Sequence, residues 1–218
     1  MEDYRGEFQR LYGHQDIIVS AGAAYRAGAE WILSEIENQI RFGVVFHADE
    51  TIQIGWMTLK IAAKVDGGLE ILQPEFGSMP VRWVRGANNA IRDITIQKEV
   101  SDQIGTPADY PSMRQSAVIS PDFLGEHREF ELSRDVPEGN DSGWVFREGR
   151  YGGADGTLSS LYQIAITVPA IIPFLALPPD SVVRRSGVGI EIFSGGSTIS
   201  SANNDFLARL LNSVYLRG

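Results

Sequence analysis

The sequence predicts an α+β fold in which antiparallel sheets pack with several helices, arranged as two similar-sized halves. Three observations predict it. Short apolar runs alternate with polar residues and end at Gly-, Pro- or Ser-rich turns, as hairpin strands do. Longer stretches between them carry apolar residues at helical spacing. Strands and helices do not alternate in the regular order that a parallel α/β sheet needs. The chain has 218 residues, 43% hydrophobic and 22% charged, so it can bury a core without disulfide or metal staples. The segment TPADYP (106–111) interrupts any continuous helix with two prolines. It sets a division between an N-terminal α+β region, 1–108, and a C-terminal α+β domain, 115–218.

Residues 1–13 are charged and read as a loosely docked arm. The run DIIVS (16–20) reads as a strand, with Ser20 capping a helix over 21–42. Trp31, Ile32, Ile36 and Ile40 recur at helical spacing along it, and Gly43 is expected to stop it. Residues 51–65 read as one strand whose alternation changes phase at Gly55, which a bulge explains. Asp66-Gly67-Gly68 then turns the chain into a returning strand over 69–72. Residues 73–85 read as an ordered connection, since Phe76, Met79 and Trp83 are costly to expose. Ile91, Ile94, Val100 and Ile104 predict a helix over 88–104.

In the second half, 115–120 and 129–132 read as strands around a turn at 121–125, and 144–147 as another. Thr157 is expected to cap a helix over 158–168 that ends at Pro169, with a second helical turn over 170–176. Strands follow at 181–185 and 188–193, then a Gly/Ser loop over 194–201. Phe206, Leu207, Leu210, Leu211 and Val214 predict an amphipathic helix over 204–215. Gly55-Trp56 and Gly143-Trp144 recur in strand settings, a weak sign of duplication.

Composition excludes much chemistry. With no cysteine there is no thiolate nucleophile, disulfide or cysteine-ligated zinc. His14, His47 and His127 show no metal-ligand spacing and read as surface or loop residues. Ser142 lies in Asp141-Ser142-Gly143, but no G-x-S-x-G elbow is present, and turn chemistry accounts for the triplet. Gly187-Val188-Gly189 lacks the third glycine of a dinucleotide loop, and no phosphate-binding lysine motif occurs. No cofactor or metal is expected. The formal charge of -9 repels nucleic acid and anionic lipid and suits a basic protein partner. The charged N-terminus lacks an apolar leader core, and the longest apolar run, 164–177, holds two prolines. A cytoplasmic location is therefore expected, with no membrane partner.

The most informative stretch is 138–185. Asn140-Asp141-Ser142-Gly143-Trp144 with Phe146, then Leu161-Tyr162, the apolar run 169–177 and Leu177-Pro178-Pro179 before a strand, resemble a bacterial immunity-protein family of polymorphic toxin systems. That family was first catalogued as a domain of unknown function. The resemblance covers about 116–186. Ala29-Glu30-Trp31, Ile52-Gln53-Ile54-Gly55-Trp56, Met79-Pro80-Val81-Arg82-Trp83 and Gln97-Lys98 resemble a companion region found with that domain. The resemblance implies a non-enzymatic protein that binds and neutralises a cognate toxin, and it brings no catalytic residues. The residues expected to meet such a partner are Asp141, Trp144, Glu148, Tyr151 and Asp155, although the first reading of any one tryptophan is core packing. Two alternatives stand. One is a structural or regulatory scaffold that forms a homo-oligomer through the helix over 204–215. The other is a hydrolase using carboxylates among Glu129, Glu131, Asp141 and Glu148 near Trp144 and Phe146.

Overall fold

The computed structural model describes residues 1–65, 67–121, 123–124, 129–149, 156–187 and 189–216. The chain forms two compact units, Met1–Thr95 and Ile96–Gly218. Each holds one sheet with helices on it, so the α+β class is as expected. Each sheet also contains one parallel pairing among its antiparallel ones.

Unit 1 holds a six-stranded sheet ordered β1-β2-β5-β4-β3, with β6 pairing β5. The strands are β1 Glu2–Gly6, β2 Ile17–Ala21, β3 Thr51–Ile54, β4 Met57–Ala63, β5 Leu69–Pro74 and β6 Trp83–Arg85. The first residues are not a loose arm. β1 pairs antiparallel with β2, and helix α1 (Phe8–Tyr12) buries Phe8. Gly6 makes room for that ring, because a Cβ there would lie 2.3 Å from Phe8 Cζ. Ser20 does not cap a helix. Its hydroxyl donates to Asp3 Oδ1 across the β1–β2 pair at 2.7 Å, while the next helix, α2 (Arg26–Arg41), is entered through a 3-10 turn at Ala23–Tyr25.

The phase change at Gly55 is a reversal rather than a bulge. Ile54 pairs with Met57, so Gly55 and Trp56 form a two-residue hairpin turn, with Gly55 at φ 60° in the first central position. The expected hairpin into β5 is present, with Ala63 opposite Leu69; Asp66 of its turn lies outside the described residues. The core is built from Ile17 and Val19, Leu59 and Ile61, Leu69 and Ile71, and Ile32, Ile36 and Ile40 of α2. Helix α3 (Asn88–Ile104) follows the predicted limits. Gln73 of β5 caps it from outside, its Oε1 accepting from the Asn89 amide at 2.9 Å. The two units divide inside α3, and TPADYP follows that helix.

Unit 2 holds a seven-stranded sheet ordered β10-β7-β9-β8-β11-β12-β13. Its strands are β7 Ser116–Ile119, β8 Phe130–Arg134, β9 Asp141–Glu148, β10 Thr157–Ser160, β11 Ser181–Ser186, β12 Gly189–Ser194 and β13 Ser197–Ser200. β7 and β8 are not partners around their connecting turn, because β9 lies between them. Residues 157–160 pair with β7 instead of starting a helix. Ser160 is the actual cap of α4 (Leu161–Thr167), its Oγ accepting from the Gln163 amide at 3.2 Å. Pro169 opens a 3-10 turn over Pro169–Phe174, in the position where a missing N–H costs nothing. The Gly/Ser loop is a β12–β13 hairpin closed by Gly195-Gly196. The C-terminal helix is short: α5 spans Asp205–Leu210, capped by Asn204, and Val214 beyond it is exposed. Phe206, Leu207 and Leu210 are buried within the fold, so the apolar seam that a homo-oligomer was expected to use is already covered.

Candidate partner-binding site

β9 carries the motif that drew attention in the sequence, and its geometry shows what each residue does. Asp141 Oδ1 accepts from the Gly143 amide two residues on, at 3.0 Å. Ser142 donates its hydroxyl to the Ser116 carbonyl at 2.7 Å and accepts from the Trp144 amide at 3.3 Å. Gly143 has φ 77°, and a Cβ there would stand 2.1 Å from the Asp135 carbonyl oxygen. The pairing of β7 with β9 shifts register at this point, from Ser116–Asp141 to Val118–Val145, so Ser142 and Gly143 form the bulge that turns Trp144 inward. Gly55-Trp56 closes a hairpin and Gly143-Trp144 lies at a bulge, so the repeated dipeptide serves two different backbone shapes.

Trp144 has no exposed surface. Its Nε1 donates to the Leu175 carbonyl at 3.1 Å, and its ring stacks on Phe146 at 5.9 Å between centroids. The guanidinium of Arg134 lies 5.7 Å over the same ring. Arg134 is 2% exposed, and it is the residue that sequence reasoning missed. Its Nε donates to the Ser142 carbonyl at 3.2 Å, and its Nη1 donates to the carbonyls of Asp109, at 2.7 Å, and Leu177. The Asp109 carboxylate stands 3.6 Å from Nη2. Burial pushes the Arg134 pKa below the ordinary arginine value and the Asp109 charge pulls it back, but an arginine stays cationic in protein. Ser181 completes the cluster by donating to the Pro178 carbonyl at 2.6 Å. A signal was available: Phe130, Leu132 and Arg134 alternate along one strand, which puts a cation in the apolar phase.

Asp-Ser-Gly-Trp, the 169–177 run and Leu-Pro-Pro are thus joined in one buried knot. Ser142 spends its hydroxyl on a carbonyl, as a structural serine does. As a direct partner contact Trp144 is corrected by its burial, since a side chain without exposed surface cannot meet a second protein in this fold. Asp141 is half-buried at the start of β9, and Glu148 is exposed at its end. Tyr151 and Asp155 lie outside the described residues, as does His127. Of the other histidines His47 is exposed, but His14 is a core residue rather than a surface one. Its Nε2 accepts from the Phe46 amide at 2.8 Å, and its ring packs between Phe8 and Phe46.

The carboxylates proposed for hydrolysis do not gather at Trp144. Asp141 and Glu148 stand seven residues apart on one strand, roughly 20 Å. Glu131 lies opposite Arg147 and Glu148 opposite Phe130, so these two acids point to opposite sides of the sheet. On the open side, Arg147, Glu131, Arg184 and Glu191 face one another in register across β9, β8, β11 and β12. Arg184 Nε donates to Glu131 at 2.8 Å, and Glu129 Oε1 accepts from the Gly187 amide at 3.2 Å. The groove beside this row holds about 160 Å³, below the several hundred that an enclosed small-molecule site occupies. Among the described residues no group of His, Asp and Glu has metal-site geometry, and no helix is long and apolar enough to cross a membrane.

The fold is α+β, and the motif residues of β9 are engaged in its packing. Residues 96–193 match the family model of the Imm33-like domain, and the match opens at the residue where unit 2 begins. The immunity-protein resemblance read from the sequence is borne out over that segment. No curated protein and no solved structure matches the chain.

Proposed function

We propose that the protein is a non-enzymatic immunity protein that binds and neutralises a cognate bacterial toxin. The observation that carries this reading is the Imm33-like match over 96–193. The motif residues of that segment are consumed in holding the fold together, which leaves binding to the surface. That surface belongs to a chain of net charge -9, and the excess is spread: nine basic against thirteen acidic residues in unit 1, ten against fifteen in unit 2. A basic toxin is therefore steered toward either unit.

Co-expression with the product of each gene neighbouring this one, screened for toxicity, tests the reading. The expected outcome is growth rescue together with co-purification of a stoichiometric complex. A toxin that kills at the same rate with and without this protein, and that does not bind it, sinks the proposal.

A further inference from the structure

The outer side of α2 is unusual for a solvated helix face. At 100° per residue, Trp31, Asn38 and Phe42 fall within about 40° of one another, and the two aromatic rings are anchored about 16 Å apart along the axis. Trp31 is 41% exposed and Phe42 91%. Between them Ser34 and Asn38 are exposed and uncharged. The backbone fixes this presentation. Gly43 at φ 89° donates to the Ile40 carbonyl, and Val44 to the Gln39 carbonyl, a Schellman closure that ends the helix immediately after Phe42. Tyr12 stands at the flank, 40% exposed, its hydroxyl donating to Glu37 at 2.6 Å and so tying α1 to α2. Val45, 60% exposed, continues the apolar surface past the helix end.

Tyr12, Trp31 and Phe42 are the exposed aromatic side chains among the described residues, and all three lie on this α1–α2 corner. Exposed aromatic clusters are costly in water and mark docking surfaces, where they supply most of the binding energy. The surrounding charge says what kind of surface fits. Arg26 pairs with Glu30 and Arg10 with Glu7, which leaves Glu35 and Glu37 of α2 against Arg41. A second copy of this chain would bring the same carboxylates into opposition, on top of the -9 charge of each molecule.

We propose that the outer face of α2, flanked by Tyr12 and Val45, docks the cognate toxin through an apolar patch with lysine or arginine at its margin. The inference rests on the immunity reading, and it places recognition outside the segment that matches the Imm33-like family.

The test uses the full chain, with an inactivated variant of whichever neighbouring-gene product proves toxic on expression as the probe, titrated by calorimetry. Trp31→Ala and Phe42→Ala are each expected to weaken binding at least about tenfold, as aromatic anchors do. Asn38→Arg is expected to weaken it far more than Asn38→Glu, because only the first repels a basic partner. Arg184→Ala, in the unit 2 groove, is expected to leave affinity within about threefold. All these positions are exposed, so thermal unfolding should match the wild type. If the wild type binds and Trp31→Ala, Phe42→Ala and Asn38→Arg all bind equally well, the docking face is wrong and the immunity reading stands. If the wild type does not bind the probe, both fall. If Phe42→Ala instead turns a wild-type dimer into a monomer without changing probe affinity, a second copy is the occupant and the proposal is overturned.

Discussion

Arg134 occupies an inward strand position that an apolar side chain would normally fill, and it works there as a donor to three carbonyls. Arg134→Ala leaves the carbonyls of Asp109, Ser142 and Leu177 without that donor and opens a void beside Trp144. The expected cost is about 3 kcal/mol or more in urea unfolding, with Arg134→Lys recovering only part of it because an ammonium lacks the planar fork. Gly143→Ala is expected to be as severe, near 3 kcal/mol or beyond, since both the positive φ and the Asp135 carbonyl oppose a Cβ. Gly196→Ala, where φ is also 77° but the space is open, should cost only about 1 kcal/mol in the same assay. Asp3 has a pH signature. Its carboxyl is held below the usual aspartate value, first by the Ser20 hydroxyl and then, against partial burial, by Arg85. A folded-state pKa below the unfolded one stabilises above the ordinary value of 3.8 and is lost as pH falls through the lower folded value. Asp3→Asn should therefore be less stable than wild type at neutral pH, with the gap closing in acid below that range. Equal gaps at both pH values would rule out the linkage.

The elements were legible where a segment's own pattern decides its state. Ile91, Ile94, Val100 and Ile104 mark α3 to its observed limits even through β-prone Ile94-Thr95-Ile96, because four apolar residues at helical spacing, all buried, outweigh local propensity. What the sequence hid was set by distant partners. Thr157 and Ser160 are equally good caps in isolation; β7 decides between them by claiming residues 157–160 as an edge strand. Ser160→Ala should then cost about 1 kcal/mol and Thr157→Ala much less, by thermal or chemical denaturation. Ser20 was likewise drawn off by Asp3, a residue that one-dimensional reading left in a free arm. The candidate site shows the same limit: Asp141 and Ser142 were rightly assigned to turn chemistry, whereas the burial of Trp144 depends on Leu175 and Arg134, 31 and 10 positions away along the chain.

For the molecule as a whole, the two units have comparable charge excess but, among the described residues, unequal exposed aromatic surface, and the family similarity covers only one of them. That invites study of the second unit alone, and α3 bears on how to excise it. Similarity starts at Ile96, eight residues into a helix that starts at Asn88. A gene fragment cut there would begin with four amides lacking acceptors and a nine-residue helical remnant, shorter than the roughly 12 residues that sustain an isolated helix. The Gln97 side chain, which reaches the Ile172 carbonyl at 2.9 Å, would hang on that frayed end. A fragment starting at Asn88 should melt higher by circular dichroism than one starting at Ile96. The point where sequence likeness begins is a poor place for the scissors.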